Sequence, residues 1–136
     1  MKTVYQIAIE ISAKAHANQF RKDGKTPYFL HPYRVSQRLK DDEEAQVVAL
    51  LHDSIEDTEE TEESLLEKGI PQHLVNSIKV LTKDDDTDYE TYLERVKEDP
   101  IAKKVKIADM LDNLSDKPSE KQIIKYSKGF LKLLGS

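Results

Sequence analysis

Cysteine is absent from the chain, which removes any disulfide framework and any thiolate metal site. No stretch approaches the roughly 18 apolar residues that a membrane-spanning helix needs. The N-terminus, MKTVYQIAIEISAKAHANQ, lacks the long apolar core and cleavage site of a secretory signal. A soluble, cytoplasmic protein is the expectation. Four glycines and five prolines are little punctuation, which suits helices joined by short connections. There is no alternating apolar–polar run of useful length, no repeat and no low-complexity linker, so nothing points to strands or to a second unit. The 136 residues are enough for one domain with one core, spanning 1–136.

Charge is unevenly spread. The net charge of −5 argues against DNA or RNA as a partner. Residues 21–40 carry six Lys or Arg against the single Asp23, whereas residues 41–67 carry twelve Asp or Glu and no Lys or Arg. Two solvated faces of opposite sign would give this pattern. So would a site where an anionic substrate meets a cation held by acids. Charge alone leaves both open.

Helical spacing runs through most of the chain. Val4, Ile7, Ala8, Ile11 and Ala15 predict a first helix over about 2–20. Gly24 and Pro27 break it, and Pro32 suits the first position of a short helix to about Leu39. Asp41 or Asp42 can cap a third helix carrying Val47, Val48, Leu51 and Ile55. Further helices are expected near 62–68, from Pro71 through Leu81, around Tyr89–Val96, from Pro100, and from a Ser119/Gln122 capping box through Leu134. The expectation is an all-α, single-domain bundle of about eight helices.

One segment conflicts with a plain helix core. In LLHDSIEDT (50–58), Leu50 and Leu51 belong inside, while His52, Asp53, Glu56 and Asp57 ask for water or for something that replaces it. On a continuous helix His52 and Glu56 would stack on one face, with Asp53 and Asp57 on the adjacent stripe. Burying an unpaired carboxylate costs several kcal/mol at least, and a divalent cation removes that conflict. Imidazole with carboxylate suits Mn²⁺, Fe²⁺, Zn²⁺ or Co²⁺. An adjacent His-Asp pair supplies only two ligands, but His31 follows the basic loop. In VKIADMLDN (105–113), Asp109 and Asn113 form a second polar pair at i,i+4 beside apolar residues. Glu56, a turn from His52, is the first candidate for moving protons, with Asp57 orienting it or the water.

The order His31, His52-Asp53, Asp109 resembles the H…HD…D signature of the HD-domain metal-dependent phosphohydrolases. AHANQFRKDGKTPYFLHPYRV, LLHDSIEDT and VKIADMLDN, taken together, resemble successive motifs of the hydrolase domain of RelA/SpoT-type alarmone enzymes and of the stand-alone small alarmone hydrolases. The resemblance covers about residues 5–116, and the chain is too short to add the synthetase domain of the long members. It implies an HD-type helical bundle that removes the 3′-pyrophosphate from ppGpp-like nucleotides. It implies one divalent ion, usually Mn²⁺, on His31, His52, Asp53 and Asp109, and the Glu56–Asp57 pair in catalysis. It also places Arg21 and Lys22 at the base and phosphates, and Asn113 at the ribose. His16 falls in the family's "AH" and reads as a packed or supporting histidine rather than a ligand. Met110, Asp112 and Ser115 stand where long members carry Arg, His and Arg, at positions near the nucleotide. They leave open a phosphohydrolase of broader or different nucleotide specificity. A non-catalytic nucleotide sensor is the alternative of another class. The oligomeric state is not legible.

Overall fold

A computed structural model describes residues 1–135. Among these residues there are nine helices, in the order α1 (Val4–Ala15), α2 (Leu30–Gln37), α3 (Glu43–Leu51), α4 (Ser54–Asp57), α5 (Glu62–Glu67), α6 (Gln72–Leu81), α7 (Tyr89–Glu98), α8 (Pro100–Leu114) and α9 (Glu120–Leu134). No strand occurs among them beyond an isolated bridge between Phe20 and Pro27. No helix is long and apolar enough to cross a membrane.

The bundle is organised around α3. Ala45 and the run Val47–Leu51 are buried all round the helix, because α1, α2, α6 and α8 pack against it from different sides. A helix apolar on every face belongs inside. Each fully buried Leu or Val contributes about 1.5–3 kcal/mol. The second organiser is α8, which touches α2, α3, α6, α7 and α9 and buries Ala102, Val105, Ala108 and Met110.

Helix ends follow local chemistry. Asp42 caps α3 through the Ala45 N–H, and Asp99 caps α8 through Ile101 and Ala102 with Pro100 inside the first turn. The Ser119/Gln122 capping box forms as its spacing suggests. Three ends differ from the expectation, one of them the stop of α3 at Leu51 short of Ile55. The first helix stops at Ala15 rather than near residue 20, because the chain turns into a loop that pairs with itself. The Arg21 N–H donates to the Thr26 carbonyl (2.8 Å) and the Tyr28 N–H to the Gln19 carbonyl (2.8 Å). Asp23 accepts the Lys25 and Thr26 N–H groups inside the loop, and Gly24 takes the positive φ of 76° that the turn requires. Helix α2 begins at Leu30, so Pro32 is its third residue rather than its first. A first-turn N–H has no intrahelical acceptor, and proline there loses nothing.

Candidate metal centre and active site

The segment that raised the conflict is not one helix. Helix α3 ends at Leu51, and α4 is a separate single turn. The His52 Nδ1–H donates to the Ala49 carbonyl (2.5 Å) and the Ser54 hydroxyl to the Leu51 carbonyl (2.7 Å). These side chains occupy acceptors near the helix end and turn the backbone there. His52 and Glu56 therefore do not stack as an i,i+4 pair on a continuous helix. The break sends His52 inward and leaves Glu56 and Asp57 at the surface of the next turn.

Three elements then converge. His31 from α2, His52 from the end of α3 and Asp109 from α8 are all buried, and one donor atom of each lies within 4.8 Å of the others. Asp109 Oδ1 is 2.8 Å from His31 Nε2 and 3.3 Å from His52 Nε2. Both rings are oriented from behind. The His52 Nδ1–H is held by Ala49, as above, and the His31 Nδ1–H donates to Asp112 Oδ2 (2.7 Å). Each ring thus turns its Nε2 toward the same point, the orientation that metal-ligating histidines need. Two neutral imidazoles and a carboxylate suit a divalent first-row ion, so these residues could hold a metal.

Asp53 stands beside this group. Its Oδ2 is 3.3 Å from His52 Nε2 and accepts the Tyr28 hydroxyl at 2.5 Å. Its compact neighbours are instead Glu56 and Asp57, the three carboxylates lying within 4.8 Å of one another. Of the four expected ligands, three are brought together, and Asp53 links them to the acid pair.

The electrostatics separate the two groups. Burial would raise the Asp109 carboxyl, but the Lys106 ammonium and the His31 and His52 rings outweigh it and hold it well below the usual carboxylate range. Burial would lower His52, but Asp53 and Asp109 raise it to about 9. His31 is likewise raised, its burial outweighed by Asp109 and Asp112. The carboxylates draw positive charge to this point, a demand that a divalent ion meets while the rings stay neutral. The acid pair goes the other way. Glu56 is raised by burial and by Asp57 and Asp53, and Asp57 by burial and Asp53. Carboxyls raised in this way are suited to exchanging protons nearer neutral pH.

Arg21 points across the mouth. Its guanidinium reaches Asp116 (3.0 and 3.3 Å) and Asn113 (3.4 Å) and lies 5.7 Å over the Tyr28 ring. Asn113 approaches Asp109 (3.5 Å) and the Tyr126 hydroxyl (3.3 Å). Arg21, Lys22, Tyr28 and Asn113 line one cleft of about 230 Å³ with Phe20 and Gln122. The three expected substrate-binding residues therefore share a wall next to the metal group.

Two residues with clear places here were given no role by the sequence, Asp112 because it does not match the motif and Lys106 because nothing singled it out. Asp112 is fully buried behind His31, and Arg34 donates to it at 3.0 and 3.4 Å. Its i+3 spacing from Asp109 was the available signal. Lys106 places its Nζ 3.2 Å from Asp109 Oδ2 and over the Tyr92 ring. A lysine between Val105 and Ile107 in a buried stripe was the corresponding hint. The departures from the long relatives have places too. Met110 packs toward Gly129 of α9, Asp112 sits behind His31, and the Ser115 hydroxyl closes α8 on the Asp112 carbonyl (2.6 Å). Neither Met110 nor Asp112 lines the Arg21–Asn113 cleft.

Residues 8–122 match the family described as HD domain. The guanosine-3′,5′-bis(diphosphate) 3′-pyrophosphohydrolase of Aquifex aeolicus (strain VF5) is 32% identical over 120 residues, covering 80% of this chain and 17% of that protein. The chain thus spans about a sixth of the length of such long relatives. The guanosine-3′,5′-bis(diphosphate) 3′-pyrophosphohydrolase MESH1 of Xenopus tropicalis is 36% identical over 121 residues, 80% of this chain and 66% of that one. A solved structure of a metazoan orthologue of SpoT that hydrolyses ppGpp superposes with a TM-score of 0.77 at 26% identity, covering 98% of this chain and 85% of that chain. With its helical bundle, its two oriented histidines and the buried aspartate between them, the chain belongs to the HD domain family.

Proposed function

We propose that this chain is a metal-dependent pyrophosphohydrolase that removes the 3′-pyrophosphate from guanosine 3′,5′-bispolyphosphates such as ppGpp. The observation that carries the reading is the meeting of His31 Nε2, His52 Nε2 and Asp109 Oδ1 beside the Asp53–Glu56–Asp57 carboxylates. The printed activities of the relatives supply the substrate class. In this reading His31, His52, Asp53 and Asp109 hold one divalent ion, Mn²⁺ in the first instance. When bound, the ion supplies Lewis acidity to a phosphoryl oxygen and to water.

The protein's own groups divide the remaining work. Glu56 accepts the proton of the attacking water, and Asp57 orients Glu56. Water adds to the phosphorus attached to the 3′ oxygen, the P–O3′ bond breaks, and the 3′ oxygen leaves with a proton. The products from ppGpp are GDP and pyrophosphate. Arg21 and Lys22 neutralise the substrate's phosphates, and Arg21 also offers a flat face beside Tyr28 for a base. Asn113 meets the ribose. Residues 1–136 act as one catalytic unit in the cytoplasm, with no nucleic acid or membrane as partner.

The test is a nucleotide panel. Purified protein loaded with Mn²⁺ is incubated with ppGpp, pppGpp, other nucleoside polyphosphates and nicotinamide dinucleotide phosphates, and the products are separated by chromatography. GDP and pyrophosphate from ppGpp, lost on chelation, are expected. Turnover of another nucleotide with ppGpp untouched would overturn the substrate. Binding of ppGpp without products would favour a sensor.

A further inference from the structure

The acid pair stands on an element that cannot hold itself in place. Helix α4 is four residues long, and a single turn is not stable alone. It packs only lightly on the other helices. Its internal bonds among those at its end are Asp57 N–H to Asp53 carbonyl (2.9 Å) and Thr58 N–H to Ser54 carbonyl (3.1 Å). Its position depends on tethers from elsewhere, and two of them lean on His16, the residue that closes α1.

The first tether is Gln19. Its Nε2 donates to the Asp57 carbonyl at 2.7 Å, and its Oε1 lies 2.7 Å from His16 Nδ1. An amide oxygen only accepts, so His16 carries its proton on Nδ1. His16 Nε2 is buried without any hydrogen-bond partner. A residue chosen for packing alone would be apolar and would not leave a polar atom unsatisfied there. What the imidazole supplies is a donor that fixes the Gln19 amide. The second tether is Tyr28. Its ring lies 5.0 Å from the His16 ring, and its hydroxyl donates to Asp53. His16 therefore supports both ends of the Asp53–Asp57 turn from one buried position.

We propose that His16 and Gln19 are positioning residues that hold α4, and with it Glu56 and Asp57, against the metal centre. This rests on the reading above that the acid pair takes part in hydrolysis. The link to the backbone of Asp57 matters because a misplacement of 1 Å can cost about 10²-fold in rate.

Four variants test it: Gln19→Leu, Gln19→Glu, His16→Leu and His16→Asn. Gln19→Glu keeps an acceptor for His16 but presents an anion to the Asp57 carbonyl. His16→Asn keeps a donor for Gln19, whereas His16→Leu fills the space without one. Hydrogen exchange at the Asp57 and Thr58 amides is read by NMR, Mn²⁺ affinity by calorimetry, and kcat and KM on the best nucleotide of the panel. In both Gln19 variants and in His16→Leu, exchange at these two amides should rise about 2–10-fold, the factor one hydrogen bond corresponds to. Their kcat should fall about 10–100-fold, as for other supporting residues, with KM as in the wild type, and the two Gln19 variants, which leave Tyr28 and Asp53 in place, should bind Mn²⁺ as the wild type does. His16→Asn should recover most of both effects. Unchanged exchange in Gln19→Leu overturns the proposal. So does equal loss in His16→Leu and His16→Asn, or a loss confined to KM or to Mn²⁺ affinity. If exchange responds as stated while the unmodified protein hydrolyses no nucleotide, the tether stands and the hydrolase reading fails.

Discussion

Removing the Asp112 carboxylate tests whether the orientation of His31 is imposed from behind. Asp112 Oδ2 accepts the His31 Nδ1–H at 2.7 Å, and both side chains are buried. In Asp112→Asn the amide oxygen can still accept that proton, but the bond is no longer charge-assisted. Hydrogen bonds to charged groups are worth about 1.5–3 kcal/mol and neutral ones about 0.5–1.5, so about 1–1.5 kcal/mol is lost. Expressed at the metal, that is about a 5–10-fold weaker affinity. Arg34 also loses its partner, but its side chain is 41% exposed and water replaces most of that contact. Asp112→Ala is harsher. It leaves the His31 Nδ1–H buried and unpaired, at a cost of about 1–3 kcal/mol, and frees the ring to turn. About 10–100-fold in metal affinity is expected to go with it. For a chain of this size, about 2 kcal/mol lowers the melting temperature by about 6–10 °C. Calorimetric titration with Mn²⁺ and thermal unfolding with the metal removed read the two effects separately. If Asp112→Asn and Asp112→Ala bind Mn²⁺ alike and as tightly as the wild type, Asp112 does not orient the ligand.

Three further outcomes are expected. Glu56→Gln should keep Mn²⁺ affinity and lose about 10²–10⁴-fold in kcat; joint loss of metal and activity would make Glu56 a ligand or a support. Arg21→Ala should raise KM and leave Mn²⁺ affinity alone, and Arg21→Lys should recover only part, because lysine restores charge but no stacking plane; an unchanged KM would move the nucleotide site elsewhere. Asp42→Ala should cost about 0.5–2 kcal/mol of stability at pH 7 through loss of the α3 cap. Lys104 and the Ala45 N–H depress the Asp42 pKa below 3.8 in the folded chain, so this contribution is complete above the unfolded value and vanishes as pH falls through the folded one. Melting curves of the two proteins that stay equally far apart down to low pH would count against the cap.

The bundle was legible because its helices carry apolar residues at helical spacing and are opened by Asp42, Ser119, Pro100 and similar signals. The metal candidates were legible as a set only through the order of three motifs, since His31, His52 and Asp109 are far apart in sequence. What periodicity hid was the break after Leu51. It is made by the His52 ring and the Ser54 hydroxyl bonding to nearby carbonyls, while the apolar pattern continues through Ile55 as though the helix did too. Asp112 was passed over because it does not match the motif. Its burial is supported by Arg34, 78 residues earlier, and no local pattern reports such a partner. Lys106 and the His16–Gln19 contact to Asp57 were hidden for the same reason. Each depends on which helices cross, and that is a property of the packed bundle rather than of any segment.

The spread of the ligands along the chain also bears on how the protein is made. During synthesis the N-terminal helices emerge first, so both imidazoles leave the ribosome well before Asp109. Until α8 docks between α2 and α3, His31 and His52 lack the buried carboxylate that joins them. The complete candidate metal site is therefore a late product of translation. A nascent chain stalled before residue 109 has no means of bringing its three side chains together.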